Sequence, residues 1–354
     1  MITTNTQLKC YKETVDRAAG WARDSWHLIE REKDLQGHYK GPYLWAAVGD
    51  MEMAGRHRRI IRERFLQEDG DFRSSPHTKG FFEFPCTVAN QYLYSNGWII
   101  SGMQKLGAYE VAQKGLEFML RLQDPSTGGF YSSFDPDKKE ADRHLLDSSS
   151  TSSAGMACLY CGRIAEARRA GDFVLQLLGL QPEPEKYFFS CMKPDGTLYT
   201  DVFGSEDQWN PDSRKQKCLS AEADGMNELT WLIGKPTKFL TRLYTATGEV
   251  KYLEGAKKAF FFFHRLQEKA WTNYASCKTM WAGAELYRIT GEAVFAETAM
   301  RILDFICETQ TESGAWVHSL WYSREEDQTF CWTADITYEF GAEISDVICD
   351  LCSR

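Results

Sequence analysis

The chain lacks long apolar segments and basic clusters. No uninterrupted apolar run approaches the roughly 18 residues of a membrane-spanning helix. The N-terminal segment 1–7 has neither the charged nor the apolar region of a secretory signal. Lysine and arginine number 41 against 50 aspartates and glutamates, and they form no run typical of nucleic-acid binding. These absences predict a cytoplasmic protein with no membrane span and no nucleic-acid partner.

Motifs that mark common enzyme classes are also missing. Neither G-x-G-x-x-G nor a Walker-type phosphate loop occurs, so we expect no nucleotide cofactor. The G-x-S-x-G nucleophile elbow is absent as well. Two C-x-x-C pairs, at 158–161 and 349–352, lie in helical patterns without a histidine at ligand spacing, which favours buried thiols over zinc. We therefore expect chemistry without a cofactor or a metal.

Apolar and aromatic side chains are plentiful. Of the 354 residues, 43% are hydrophobic and 14% are aromatic, which is ample for a large core. The 11 cysteines are odd in number and scattered among helical patterns, so they suit reduced thiols in a cytosol better than a disulfide framework. A chain of this length can contain two domains, but closed helical rings of similar length often form one.

A short phrase occurs five times: a glycine, then a small apolar residue about five positions later. The glycines are Gly49, Gly107, Gly162, Gly248 and Gly291. The last two copies are similar, Leu-Tyr-Thr-Ala-Thr-Gly-Glu and Leu-Tyr-Arg-Ile-Thr-Gly-Glu. Because glycine adopts a positive φ without strain, each copy predicts that one helix ends and another begins.

The segments on either side of each glycine differ in character. Those before it are helical and apolar nearly all round: 42–48, 87–106, 147–161, 225–247 and 273–290. Those after it are amphipathic: 50–66, 109–122, 163–178, 250–266 and 293–309. With a first helix over about 9–31 and a last over about 332–351, the pattern predicts twelve helices. The apolar set is typical of an inner ring that is flanked by an outer one.

The connections alternate in length, and this fixes the expected architecture. They are very short at the glycines, whereas four of the five links after the amphipathic segments are long. Between antiparallel helices, this alternation puts all the long loops on one face. We predict an all-α (α/α)6 toroid with twelve helices in inner and outer rings, formed by residues 1–354 as a single domain. A ligand cavity is then expected at the long-loop face.

Three of the long loops begin alike, with the pattern Q-x(2–4)-G-x-[FW], at 67–72, 123–130 and 310–316. This pattern resembles the QW and related repeats of terpenoid cyclase and protein prenyltransferase toroids. The resemblance implies that the glutamine caps helix ends while the aromatic ring packs over the preceding helix. It concerns three of the six units and implies architecture.

The catalytic motifs of those families are not present. Neither the Asp-x-Asp-Asp acid of class II terpene cyclases nor the Asp-Asp-x-x-Asp metal box of ionising synthases occurs, and the prenyltransferase zinc set is missing. Length, helix number and the Leu-Tyr-x-x-Thr-Gly-Glu phrase also resemble the sugar-active N-acylglucosamine epimerases and unsaturated glucuronyl hydrolases. The catalytic His or Asp pairs of these enzymes have no clear match. The resemblances therefore imply a fold and leave the reaction open.

The first turns of the inner helices predict an aromatic wall with a few ionisable groups. As substrate-binding residues we predict Tyr43, Trp45, Tyr94, Trp98, Glu228, Trp231, Tyr274, Trp281 and Trp332. Tyr39, Lys40, Asn90, Asn227 and Lys235 lie on the same turns. Mostly apolar pockets with a few polar groups are the usual sites for small molecules, so a small-molecule substrate is the expected partner.

Five ionisable residues are the catalytic candidates. Asp335 and Glu339 are spaced i, i+4 and share a helix face, with Tyr338 near it. In a desolvated cup, two carboxylates can have separated pKa values and act as acid and base, unless one bonds a neighbouring helix end instead. Asp147 is most simply the N-cap of a Ser-rich helix start, with catalysis as the alternative. Lys278 is expected to pair with a carboxylate across the ring or to bind an anionic or carbonyl oxygen.

Two other sets of polar residues are expected at the surface. The basic cluster over 57–64 lies on an outer helix and is expected to form a solvated face rather than an anion site. His144 is a possible proton carrier, but a single histidine in a loop is more often exposed.

The sequence supports three functional hypotheses. The first is a cofactor-independent cyclase, isomerase or lyase, including a pericyclase or terpene cyclase-like enzyme, that acts on a largely apolar terpenoid or polyketide with carboxylate acid–base help. The second is a carbohydrate-active hydrolase, lyase or epimerase, because Trp and Tyr also stack on sugars and carboxylate pairs cleave glycosidic bonds. The third is a non-enzymatic binding protein. We favour the first, since the expected cavity is aromatic and has few acids.

Overall fold

The computed structural model of the protein describes residues 4–80, 91–202, 217–223, 225, 228–318 and 324–353. Within these residues there are twelve helices of eight residues or more, as predicted. They are α1 (Asn5–Asp24), α2 (Gly41–Val48), α3 (Met51–Ile60), α4 (Tyr94–Lys105), α5 (Tyr109–Leu120), α6 (Ser148–Tyr160), α7 (Ile164–Gly179), α8 (Trp231–Thr247), α9 (Val250–Phe263), α10 (Cys277–Thr290), α11 (Ala293–Glu308) and α12 (Phe330–Cys352). None of the described helices is long and apolar enough to cross a membrane.

The even-numbered helices form a closed inner ring and the odd-numbered helices surround it. Each inner helix packs against the next one along the chain, and α12 closes the ring against α2. Every outer helix packs on an inner partner, and α1 lies against α12, so the two ends of the described chain meet at one seam. This arrangement is the predicted (α/α)6 toroid.

The repeated glycines end the inner helices. Their φ angles are 74° at Gly49, 69° at Gly107, 73° at Gly162, 70° at Gly248 and 76° at Gly291. These left-handed conformations are what a glycine adopts without strain when a helix stops and reverses. The prediction from the repeat is therefore confirmed at all five positions.

Glycines inside the inner ring allow close helix contacts. A Cβ atom on Gly97 of α4 would lie 2.9 Å from the carbonyl oxygen of Ser153 in α6. One on Gly234 of α8 would lie 2.6 Å from Cβ of Lys278 in α10. Both distances are too short for a real contact, so the backbones approach only because glycine stands there. The second contact fixes the helix segments that carry two cavity lysines, Lys235 and Lys278.

Two of the three Gln-initiated loops are tied to a neighbouring unit through the glutamine, whereas Gln67 donates to the carbonyls of Phe65 and Arg73 beside it. Gln123 donates to the carbonyl of Gly128 in its own loop at 2.9 Å and to that of Glu166, at the start of α7, at 3.1 Å. Gln310 does the same with Gly314 at 2.8 Å and with Thr14 of α1 at 3.0 Å. The loop aromatics Phe72, Phe130 and Trp316 are completely buried.

A buried polar cluster fixes the first long loop to the inner ring. Both oxygens of Asp71 accept hydrogen bonds, Oδ1 from Asn96 of α4 at 2.9 Å and Oδ2 from the Tyr92 hydroxyl at 2.5 Å. Lys79 forms an ion pair with Asp71 at 2.5 Å. Buried charges are tolerated when they are paired and hydrogen-bonded in this way. The cluster holds the loop beside the entrance to the ring.

The long loops also contain short strands that the sequence analysis does not predict. An antiparallel sheet has the order β1 (Tyr131–Asp135), β2 (Glu140–Asp147) and β4 (Cys191–Met192). A second pairs β3 (Tyr187–Phe189) with β5 (Cys218–Ser220). The exposed, highly charged face of β2 hides the apolar alternation by which a strand is usually detected. The fold remains mostly helical, because these short strands lie in the long loops.

His57 is not part of a solvated face. It is completely buried, while Arg58, Arg59 and Arg62 beside it are exposed. The indole N–H of Trp45 donates to its Nδ1 at 3.1 Å, and its Nε2 lies 3.1 Å from Nδ1 of His38. Because an N–H only donates and a carbonyl only accepts, the chain has one consistent assignment of protons. Trp45 donates to Nδ1 of neutral His57, and Nε2–H of His57 donates to Nδ1 of neutral His38.

In the last of these hydrogen bonds, Nε2 of His38 donates to the carbonyl oxygen of Glu32 at 3.0 Å. Burial lowers the pKa of His38 from 6.5 to about 4, and burial together with His38 lowers the pKa of His57 well below its usual value. Between pH 6.5 and about 4, the folded protein therefore binds fewer protons at these two histidines than the unfolded chain does. The contribution of the two neutral histidines to stability is complete above pH 6.5 and is lost as the pH falls towards 4.

We expect the free energy of unfolding to fall from pH 6.5 to pH 4 by up to about 1.4 kcal/mol per pH unit for each histidine. Urea unfolding at several pH values measures this slope. His38→Gln should make the slope shallower, whereas His144→Gln should leave it unchanged, because the His144 side chain is 92% exposed. Equal slopes in all three proteins would contradict the assignment.

Candidate active site

A cavity lies inside the inner ring and consists of two adjoining compartments. The upper one has a volume of about 660 Å³ and the lower one about 490 Å³, both including open solvent. Tyr94, Lys235 and Lys278 line both compartments. His318 of the last long loop lines the upper compartment, which therefore lies at the long-loop face, where the sequence analysis expects the ligand site.

Most of the predicted site residues meet in this cavity. The upper compartment is lined by Tyr94, Trp231, Tyr274, Lys278, Trp332, Asp335 and Glu339, and the lower one by Tyr43, Trp98 and Trp281. Tyr39, Lys40 and Lys235 also line it. Asn90 and Asn227, two further predicted wall residues, lie outside the residues that the structure describes.

A buried layer of alternating charges crosses the upper compartment. Lys40 pairs with Asp335 at 2.7 Å and also contacts Glu339. Lys278 in turn contacts Glu339 and Glu343, so that Glu339 is shared by two ammonium groups. All five side chains are at least 88% buried, with Glu339 the most accessible at 12%. Lys278 therefore pairs with carboxylates, as expected, but they lie on the adjacent inner helix α12 and not across the ring.

The two carboxylates that were predicted as a pair differ in pKa. Burial raises the pKa of Asp335, and the negative charge of Glu339 adds to this against the opposing effect of Lys40. Burial also acts on Glu339, but Lys278 and Lys40 outweigh it and hold its pKa well below the usual range. Relative to free carboxyl groups, the shifts favour the protonated form of Asp335 and the ionised form of Glu339.

Glu343 extends the same face of α12 by one more turn. Burial raises its pKa to about 7, because the attraction of Lys278 does not fully compensate. Asp335, Glu339 and Glu343 are spaced four residues apart, a signal that the sequence contains and that the sequence analysis does not extend to Glu343. It is the acidic residue of this layer that sequence reasoning missed.

Cys277, Glu339 and Glu343 bring three potential metal-ligand atoms within 4.8 Å of one another. The ammonium group of Lys278 contacts both carboxylates. It therefore already occupies the position that a cation would take between them. The donor set does not fit a metal ion while Lys278 is protonated. Burial acts to lower the pKa of Lys278, but the charges of Glu339 and Glu343 outweigh it and hold this pKa well above its usual range.

Aromatic rings enclose the charged layer. Trp98 and Trp281 stack with their centroids 5.9 Å apart at an angle of 19°. The ammonium nitrogen of Lys278 lies 4.7 Å from the Trp98 centroid, and that of Lys40 lies 5.5 Å from the Tyr94 centroid. The Tyr94 hydroxyl donates to Oε1 of Glu339 at 2.9 Å. The ions satisfy one another, so the surface presented to a ligand is mainly aromatic.

Trp45 and Tyr338 do not line the cavity, contrary to the prediction. Trp45 packs between the rings, donating to His57, with its ring centroid 6.2 Å from that of Tyr338. The Tyr338 ring lies 5.5 Å from His57 and is completely buried. A helix turns by about 100° per residue. Tyr338, next to Glu339 in the chain, is therefore rotated out of the cavity towards the outer ring.

Asp147 and Glu228 also lie outside the two compartments. Asp147 is the N-cap of α6, as expected, and accepts from the backbone N–H of Ser150 at 2.7 Å. Burial raises its pKa to about 6. Glu228 accepts from the backbone N–H of Ser220 at 3.0 Å and thereby ties β5 to the loop before α8. These contacts give both carboxylates a structural role.

Comparison with known proteins matches the fold of the chain and no family. No protein-family model matches the chain, and no curated protein matches it in sequence. Solved structures do match: a D-mannose isomerase has a TM-score of 0.63 at 11% identity over 89% of this chain and 87% of its own. A GH76 α-mannanase from Bacteroides thetaiotaomicron has a TM-score of 0.62 at 12% identity, covering 93% and 95%.

A type II terpene cyclase from Scytonema, solved with geranylgeranyl dihydroxybenzoate, has a TM-score of 0.57 at 10% identity, covering 98% of this chain and all of its own. Sugar isomerase, glycosidase and terpene cyclase thus share one (α/α)6 toroid with this protein. Identities this low establish the fold alone. The reaction has to be argued from the cavity.

Proposed function

We propose that the protein is a cofactor-independent cyclase, isomerase or lyase that acts on a largely apolar small molecule, such as a terpenoid or polyketide. The observation that carries the proposal is the buried pair of Asp335 and Glu339 with opposite pKa shifts beneath an aromatic wall. A proton donor in a dry, aromatic cavity is the minimal equipment for acid-initiated isomerisation or cyclisation.

The proposed roles follow from the contacts. Asp335 delivers a proton to a double bond or carbonyl oxygen in the upper compartment. The rings of Tyr274 and Trp332, which line the same compartment, stabilise the positive charge that develops on the substrate, and ionised Glu339 adds a fixed negative charge. The aromatic walls hold a flexible chain in one reactive conformation. Deprotonation of the product ends the reaction and returns the proton to the site.

A carbohydrate-active enzyme is the second candidate. It is favoured by the polar side chains at the mouth, among them Gln91, Lys235 and His318, which could bind sugar hydroxyls. A glycosidase places a glycosidic bond between two carboxyl groups. Here Lys40 stands between Asp335 and Glu339 and contacts both. Within this alternative, proton-transfer chemistry such as epimerisation therefore fits the site better than hydrolysis.

Solvent deuterium distinguishes the candidates. We expect protein in D2O to convert a member of a terpenoid and polyketide panel, including geranylgeranyl dihydroxybenzoate, into an isomer that carries one deuterium on carbon. Mass spectrometry of the products measures this. Mannose, cellobiose and α-mannobiose form the matched panel. Conversion of the sugars alone would favour the second candidate, and undiminished conversion by Asp335→Asn would contradict the assigned acid.

A further inference from the structure

Lys235 differs from the other lysines of the cavity. Its ammonium nitrogen donates to Oε1 of Gln91 at 2.6 Å and lies 3.7 Å from the Tyr94 centroid. Among the described residues, no carboxylate lies within ion-pair distance of it, whereas Lys40 and Lys278 each contact two. Its side chain lines both compartments and is buried, so it faces the substrate space without a neutralising partner.

The absence of a counter-ion has a chemical consequence. Burial lowers the pKa of Lys235 to about 7; the positive charges of Lys278 and Lys40 add to this effect, and Glu339 and Asp147 oppose it. About half of the side chain is then the neutral amine at pH 7. An exposed lysine with a pKa near 10.4 is neutral in only about one molecule in 2,500. Only the neutral amine is a nucleophile.

The local backbone positions this side chain. Pro236 follows it in α8 and has no N–H, so the carbonyl of Leu232 has no helical partner. The Ser148 hydroxyl of α6 donates to this carbonyl at 3.4 Å. On the other side, Gly234 lies against Lys278 of α10. Lys235 therefore stands on a helix segment that is held by both neighbouring inner helices.

We propose that Lys235 is a nucleophile that forms a Schiff base with an aldehyde or ketone group of the substrate. This rests on the proposed function in that it names a carbonyl as part of the apolar substrate. The supporting geometry is a buried amine at the junction of two aromatic compartments, with no carboxylate of the described residues at ion-pair distance and with Asp335 in the same cavity.

The step balances without an oxidant or reductant. The nitrogen lone pair of Lys235 forms a bond to the carbonyl carbon, the carbonyl π electrons move to oxygen, and one N–H proton is transferred to that oxygen. The nitrogen lone pair then expels the hydroxyl group, which leaves as water with a proton supplied by Asp335. The product is a protonated imine, an electron sink for isomerisation or bond cleavage next to the former carbonyl.

Reductive trapping tests the proposal without turnover. The full chain is incubated at pH 7 with 2-naphthaldehyde and sodium cyanoborohydride, which delivers hydride to the imine carbon and leaves a stable secondary amine. Peptide mass spectrometry then locates the label. We expect Lys235 to be labelled at least about 100-fold faster than exposed lysines, given the difference in neutral amine. Labelling of Lys235 at the rate of exposed lysines would overturn the proposal.

Two controls separate nucleophilicity from burial. Lys238, one turn further along α8, is also buried and lines the lower compartment, but Glu285 at 2.6 Å opposes the lowering of its pKa by burial, so it should be labelled more slowly than Lys235. Gln91→Glu places a carboxylate beside Lys235, which raises its pKa and should slow labelling at least tenfold at pH 7 while the lysine is still present. Unchanged labelling in Gln91→Glu, or equal labelling of Lys238, would contradict the assignment.

Lys235→Met should remove the cavity label and leave the protein folded, because a linear apolar side chain suits the aromatic site. Thermal unfolding checks the fold. If trapping fails while Asp335-dependent deuterium incorporation is seen, the Schiff base is wrong and the proposed function stands. If trapping succeeds and no deuterium is incorporated, the amine is confirmed and the acid-initiated reaction is wrong.

Discussion

Replacement of Asp335 by asparagine reduces kcat/KM on the substrate found by deuterium labelling by about 10²- to 10⁴-fold, the usual contribution of a positioned general acid. Asparagine has the same shape and hydrogen-bonds as a neutral group. Because burial already raises the pKa of Asp335, and Lys40 keeps its contact with Glu339, the fold should change little. The loss is therefore expected in activity and not in thermal stability.

The pH dependence provides an independent readout of this prediction. A general acid works only when protonated, so wild-type kcat/KM should fall as the pH rises through the elevated pKa of Asp335. The variant should lose this limb of the profile. Tyr338→Phe is the matched control, since Tyr338 is on the same helix face by sequence but packs towards His57. A large loss of activity in Tyr338→Phe would contradict its placement outside the site.

Replacement of Glu339 by glutamine lowers the free energy of unfolding by about 3–5 kcal/mol, the usual effect of removing one partner from a buried ion pair. Glu339 is the carboxylate that Lys40 and Lys278 share. With its charge removed, two buried ammonium groups lose most of their compensation. Urea unfolding at pH 7 measures the loss.

A matched variant and a second pH test the cause of this loss. Glu343→Gln, on the next turn and against the same Lys278, should cost much less, because a carboxyl with a pKa of about 7 is already half protonated at that pH. Without the charge of Glu339, burial lowers the pKa of the two lysines in the folded variant below the unfolded value of about 10.4. They therefore lose their protons, and with them the cost of unpaired buried charge, as the pH rises towards that value. The deficit of Glu339→Gln should therefore shrink near pH 10.5. A pH-independent deficit would indicate lost packing instead.

The sequence was sufficient for the fold because the fold depends on a local, repeated signal. Each of the five glycines has to adopt a positive φ, and the alternation of short and long links leaves one arrangement of the helices. The strands at the mouth escaped prediction because the exposed, charged face of β2 hides its apolar alternation and because part of the pairing joins separate loops. β2, for example, pairs with β4 from another loop.

The site was predictable in part for a geometric reason. Asp335, Glu339 and Lys278 were found because residues four apart share a helix face and inward charges are rare. The orientation of Trp45 and Tyr338 could not be inferred, since an error of one residue in a helix boundary rotates a side chain by about 100°. The special property of Lys235 is that no carboxylate of the described residues pairs with it, which no reading of one sequence can show.

The seam of the ring bears on how the protein folds. Five of the six contacts between neighbouring inner helices join one inner helix to the next along the chain, but the sixth joins the last, α12, to the first, α2. At the same seam, the Tyr11 hydroxyl donates to Asp304 at 2.6 Å across 293 residues. Contacts of such long range are slow to form, because the loop-closure entropy is lost before they contribute.

We therefore expect seam closure to be a late step of folding, and Lys40 of the first unit to meet Asp335 and Glu339 of the last only when it occurs. The charged layer of the cavity does not exist in a partly closed ring. A ligand that needs this layer binds only the closed ring, and its binding therefore slows the reopening of the ring at the seam.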